Sequence, residues 1–248
     1  MFFWRKKPID NHSIRGWIPK PGAPFAKSLP TSAVPPPKRW PESEAHKRCK
    51  QAIYEALLSE PGVKNVRLER PLGTNRPDVS AYINGVPVAI EVQISDLSEE
   101  TIVHRTIEYA RKGIYVLWLA QWTPALDEKR YSRALWEKWV HATYFGRVYY
   151  WIGGLTVASY RFERSYRTIP RNTWYSKNGK KLTAGGYSRR SKRYRSAVRG
   201  ETLNLATDFI PKKRDWWEES KLTIPFAKLY MHLEKSNAQP SLRPVDPA

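Results

Sequence analysis

Apolar residues recur at every second position from Val79 to Ile83 and again from Val86 to Ile94, with Asn84-Gly85 between the two runs. A period of two predicts strands. Asn-Gly supplies the positive φ angles that a type I′ turn requires at both central residues, so residues 76–95 read as a hairpin. With that turn, Ile83 pairs with Val86 and every further pair sums to 169, which sets Asp78 opposite Glu91. Cross-strand partners share a face with Cβ atoms about 5 Å apart. Gln93 lies two residues beyond Glu91 and joins that face. The other face, from Val79 and Ala81 through Val92 and Ile94, is apolar and predicts a core.

On either side the period changes. Residues 42–60 carry a stripe of Glu42, His46, Lys50, Ile53 and Leu57 at helical spacing, opposite a polar side of Glu44, Lys47, Arg48, Gln51 and Glu55. Pro61-Gly62 ends this helix. Val63 to Glu69 alternates as a strand. After the hairpin, Asp96 as N-cap and Glu99 three residues on predict a helix to about Lys112, with Gly113 closing it. Ile114 to Leu119 is a near-continuous apolar run, as in a buried strand. Strand, helix, buried strand implies a crossover and parallel pairing. The order to residue 120 is αβββαβ, an α/β (α+β) fold. Farther on, a helix is predicted over 131–146 with an apolar face of Leu135, Trp136, Trp139, Val140 and Thr143. Strands are predicted around Gly153-Gly154, and a short helix after Trp216-Trp217.

Composition adds a partner class. The 248 residues carry a formal net charge of +20, and such an imbalance favours polyanions. From Arg164 to Gly200 there is no acidic residue, and Tyr166, Trp174, Tyr175, Tyr187 and Tyr194 are interleaved with twelve Lys and Arg. Basic groups neutralise phosphates and aromatic rings stack on unpaired bases, so this segment predicts nucleic-acid contact through Lys180, Lys181, Arg189, Arg190, Lys192 and Arg193. It is expected to be mobile when unbound. Residues 1–41 are Pro-rich and basic and read as an extended arm; residues from 237 read as a tail. The expected organisation is thus an arm (1–41), a core (42–122), a basic and aromatic extension (123–236) and a tail (237–248). The arm and the extension are also where a protein partner would be held. Cys49 is the single cysteine, which excludes an internal disulfide framework or a cysteine-based zinc site. No apolar run approaches the roughly 20 residues of a membrane span, and the start of the chain lacks a signal-peptide stretch. The expectation is a cytoplasmic protein with no membrane contact.

The chemistry centres on Asp78 and Glu91. Opposed like charges repel across a sheet, and a hard divalent ion between two carboxylates would resolve the repulsion. The alternatives are that the two acids sit apart on an exposed face, or pair with Arg76 and other basic groups. Glu42-Ser43-Glu44-Ala45-His46 with Lys50, then Arg76-Pro77-Asp78-Val79, Ile90-Glu91-Val92-Gln93-Ile94-Ser95, Arg105, Tyr109 and Trp118, resembles the competence protein CoiA-like family of the PD-(D/E)xK nuclease superfamily. In that family Glu-x-Gln followed by Ser stands in for Glu-x-Lys. The resemblance covers residues 42–120 and departs from the family before them, where a Pro-rich arm replaces the cysteine-containing segment often found there.

The resemblance implies a restriction-endonuclease-like core and a nuclease that hydrolyses phosphodiester bonds of DNA, single-stranded or branched. It implies Mg²⁺ or Mn²⁺ on Asp78, Glu91 and the Val92 carbonyl. Gln93 would orient water or a phosphate oxygen. Lys50, Arg76 and Arg105 would meet the developing charge, Glu42 would stand near the metal, and His46 would bind phosphate or position Glu42. The rival readings are a non-catalytic nucleic-acid-binding module on the same fold and an assembly component of a DNA-processing complex.

Overall fold

In a computed structural model of the chain, the described residues are 43–94, 97–219 and 222–233. Packing divides the chain into residues 1–41 and 42–248. Everything below concerns the second unit, and the arm, Glu42, Ser95, Asp96 and the tail lie outside the described residues.

The first helix, α1 (Glu44–Leu58), is capped by Ser43, whose side chain accepts from His46 N. Its buried residues are Cys49, Lys50, Ile53 and Leu57, so the inward stripe carries one lysine into the interior. Strands β1 (Val63–Leu68), β2 (Val79–Ile83) and β3 (Val86–Gln93) follow as an antiparallel meander. Asn84 and Gly85 take φ of 50° and 80°, and the hairpin keeps the predicted register, Ile83 with Val86 through Val79 with Ile90. Helix α2 (Glu99–Arg111) leads to β4 (Tyr115–Gln121), which lies parallel to β3. Its N-cap is Ser98, whose hydroxyl accepts from Thr101 N, and not Asp96. The helix therefore starts two residues later than expected. Gly113 does take a positive φ, 77°, just past the helix.

The sheet then grows. Helix α3 (Leu135–Thr143) precedes β5 (Val148–Gly153), parallel to β4, and β6 (Thr156–Ile169), antiparallel to β5. The order is β1-β2-β3-β4-β5-β6-β9, where β9 spans Tyr187–Asn204. Strand β13 (Ala227–Met231) pairs with the start of β4 and, on its other side, with β10 (Ile210–Arg214). The extension is thus continuous with the core sheet, because β13 pairs directly with β4. With the helices beside it, this is a mixed α/β architecture.

Three expectations change. In α3, Trp136, Trp139, Val140 and Thr143 are buried, but Leu135 is 68% exposed at the first position, where the helix has no neighbour to cover it. Trp217–Glu219 is a strand, β11, paired with β12 (Leu222–Ile224), not a helix; the cross-strand partner overrides local preference. The basic segment expected to be mobile is an antiparallel ribbon. Residues up to Ile169 of β6 pair with β9 from Tyr187 onward, and β7 (Asn172–Tyr175) pairs with β8 (Lys181–Ala184) at its end.

Candidate functional site

The site grows from the place where the hairpin ladder stops. By the 169 register Pro77 stands across from Val92, and a proline has no N–H to give the Val92 carbonyl. The Val92 N–H turns instead to the Asp78 side chain, 2.8 Å from Oδ2. The same oxygen lies 3.2 Å from His46 Nε2 on α1. Backbone pairing continues on the other side, where Glu69 N donates to Asp78 O. Asp78 is therefore held by two hydrogen bonds, from Val92 N to its side chain and from Glu69 N to its carbonyl.

Glu91 is opposite, but it is not on an exposed face. β3 is interior to the sheet, and Glu91 is 1% exposed. One oxygen, Oε1, accepts from the Tyr109 hydroxyl and is ion-paired to Arg105 Nη2, both from α2. Burial pushes the Glu91 carboxyl up to about 8; Arg105 opposes this and the neighbouring Asp78 charge adds to it. Burial beside Glu91 also pushes the Tyr109 hydroxyl upward. The Arg105 guanidinium stands 5.6 Å from the Trp118 ring centroid and donates to the Arg76 carbonyl at 3.0 Å. Glu91 is thus paired with a basic group within the chain, Arg105, one of the alternatives open in the sequence.

A second ion cluster adjoins the first. Glu69, in the left-handed region with φ of 46°, takes Lys50 Nζ on one oxygen and Arg76 Nη2 on the other. The hydrogen bond from Lys50 holds its carboxyl below the usual range. Lys50, Arg76 and Arg105, the cations expected at the acid site or at nucleic acid, are each held against a carboxylate, Lys50 and Arg76 on Glu69 and Arg105 on Glu91. Gln93 is half-buried at the end of β3, level with Ala120. Lys180 lies between β7 and β8, Lys181 on β8, and Arg189, Arg190, Lys192 and Arg193 on β9; these elements are distinct from those carrying Asp78 and Glu91.

Among the described residues no group of three or more His, Cys, Asp or Glu could hold a metal ion. Yet Asp78 Oδ1 and Glu91 Oε2 receive no hydrogen bond within the described residues, and Pro77 has no N–H to give the Val92 carbonyl. Two carboxylate oxygens and a carbonyl are hard donors of the kind Mg²⁺ and Mn²⁺ take, with water filling the remaining positions. The donor set fits.

One buried acid escaped the sequence reading. Glu137 on α3 is 3% exposed and accepts from Tyr131 at 2.8 Å, Tyr150 at 2.6 Å and the Ala134 amide at 2.7 Å. The readable signal was a Glu at the third helical position, where it can reach back to an amide at the helix start. Cys49 is buried, and burial pushes its thiol up to about 12, so it is an inert core residue.

The unit is a mixed α/β domain with paired acids and flanking cations at the end of its central hairpin. Residues 42–144 match the family model described as competence protein CoiA, nuclease-like domain. Strands β5 and β6 and the ribbon fall beyond the match. No curated protein and no solved structure matched the chain.

Proposed function

We propose that the domain is a Mg²⁺- or Mn²⁺-dependent nuclease acting on DNA, with Asp78, Glu91 and the Val92 carbonyl as the protein's ligands. The observation that carries this reading is the break in the ladder at Pro77. It anchors Asp78 on the Val92 amide and turns two acids from adjacent strands toward one place. A divalent ion held by these groups would supply Lewis-acid polarisation of the scissile phosphodiester and a more acidic bound water. The protein supplies the rest. Gln93 offers an amide to the water or a phosphate oxygen without adding charge. Lys50, Arg76 and Arg105 provide positive potential beside the acids, so that charge growing on the phosphate is met by fixed groups. His46 holds Asp78 in place.

A second reading has a specific support. Glu91 is buried and already neutralised by Arg105 and Tyr109, as in a structural ion pair of a non-catalytic binding module. One experiment separates the two. Plasmid, linear and single-stranded DNA and RNA are incubated with Mg²⁺, Mn²⁺ or EDTA. EDTA-sensitive cleavage that is lost in Asp78→Ala and Glu91→Ala, with nucleic-acid binding kept, supports the nuclease. Cleavage retained in both variants removes these residues from the site, and no EDTA-sensitive cleavage of any substrate leaves the binding module.

A further inference from the structure

The ribbon of β6 and β9 sets arginine against arginine. Arg164 is the register partner of Arg195, and Arg167 of Arg189; Tyr166 faces Arg190. Like charges directly opposed on an antiparallel pair are destabilising, and no acid lies between Arg164 and Gly200 to offset them. A second segment adds to the charge. Tyr131 and Arg195 exchange backbone hydrogen bonds at 2.8 and 2.9 Å, and Arg193 Nε reaches Ser132 Oγ at 3.4 Å. This places Arg130 and Arg193 over one ring, 5.5 and 5.3 Å from the Tyr194 centroid. Behind them Arg133 Nε is buried without a hydrogen-bond partner, and burial together with the Arg195 charge lowers the proton affinity of Arg133.

The two segments enclose a cavity of about 330 Å³ whose lining includes Arg130, Tyr166, Arg167, Arg189, Arg190 and Tyr194. The Tyr166 side chain belongs to a residue 57% exposed, a large ring that the fold leaves without cover. A cavity of this size admits an unpaired nucleotide and not the width of a duplex. A ring face stacks on a base only when that base is free of its partner strand.

We propose that this cleft binds single-stranded nucleic acid, with phosphates on Arg130 and Arg190, the cross-strand partner of Tyr166 on the same face, and an unpaired base on Tyr166. The inference rests on the reading that the protein acts on nucleic acid, and it names the strand form. It also brings in Arg130, outside the six basic residues singled out from the sequence.

The test uses the full chain in EDTA, so that binding is read without cleavage. Fluorescence anisotropy follows labelled oligo(dT) and oligo(rU) of about 30 nucleotides and a duplex of the same length, long enough for one site. Oligo(dT) should bind at least tenfold more tightly than duplex. Equal binding of oligo(rU) also supports the proposal, because the cleft reads strand form. Exchanging both Arg130→Gln and Arg190→Gln should weaken oligo(dT) binding tenfold or more. It should also reduce the slope of log affinity against log salt by about 1.4, at about 0.7 for each phosphate contact on a single strand. Tyr166→Ala should weaken binding on the order of tenfold and leave the salt slope unchanged. All three positions are exposed, so folding is not at stake. Duplex binding as tight as oligo(dT), or either variant binding like the parent, overturns the proposal. Loss of cleavage with this preference intact counts against the nuclease reading alone, and cleavage without the preference counts against the cleft alone.

Discussion

Asp78 has two separable tasks, and a pair of substitutions separates them. Asp78→Ala removes the acceptor of the Val92 amide, which lies at 2.8 Å in a residue 4% exposed. Leaving a buried donor unpaired costs about 1–3 kcal/mol, toward the upper end for a charged acceptor. A loss of about 2 kcal/mol is therefore expected. In a domain of this size that lowers Tm by about 4–8 °C. Asp78→Asn keeps an oxygen in the same place and should lose less than about 1 kcal/mol, because the amide bond to Val92 survives as a neutral one. Both variants lose a carboxylate ligand, so neither should cleave. The assay is thermal unfolding in EDTA alongside DNA cleavage in Mg²⁺. Equal Tm losses in the two variants would refute the anchoring of Asp78 by Val92, and cleavage by Asp78→Asn would refute its place as a ligand.

Glu91 makes stability depend on pH. Its folded carboxyl holds a proton up to about 8 against an ordinary 4.5, so its contribution is complete below about pH 4.5 and is lost as pH rises through about 8. Glu91→Gln has no such proton, and in EDTA its stability relative to the parent should improve across that window, by at most roughly 5 kcal/mol; urea unfolding at pH 5, 7 and 9, about the span of the two values, that shows a constant difference would sink the idea. Glu137→Ala leaves the Tyr131 and Tyr150 hydroxyls and the Ala134 amide without their acceptor. It should cost about 3 kcal/mol or more, whereas Glu137→Gln should cost less; urea midpoints that match for the two variants would show that the lost oxygens do not matter.

The hairpin was legible because its information is local. Asn84-Gly85 dictates a turn, the turn dictates the register, and the register alone brings Asp78 and Glu91 together. The helices were legible for the same reason: stripes such as Lys50, Ile53 and Leu57 repeat at one spacing. What surrounds Glu91 was not legible. Its burial depends on α2 lying across β3 and β4 and bringing Arg105 and Tyr109 onto it. Alternation marks a face as polar or apolar; it does not say whether a helix covers the polar one.

The ribbon went unread for a related reason. Strand patterns are recognised when one face is buried, and residues 164–169 and 187–193 alternate nothing apolar against a core. Their partners are each other, set by pairing that begins farther back, where Val157 meets Leu203 and Phe162 meets Ala197 in the core. The buried part of β6 and β9 therefore holds the exposed part in register, arginine against arginine included. Repulsion in the ribbon is offset by pairing in the core and not by neighbouring acids. This leaves an unneutralised row of guanidinium groups on a fixed scaffold, which a flexible basic loop would not provide. A polyanion meeting it finds the cations already spaced and loses less entropy in ordering them. The same division runs through the acid site, where Pro77 interrupts a ladder that Val79 and Ile90 hold in place. In both regions regular pairing fixes the register, and the residues just beyond its reach are the ones left with groups to offer a ligand.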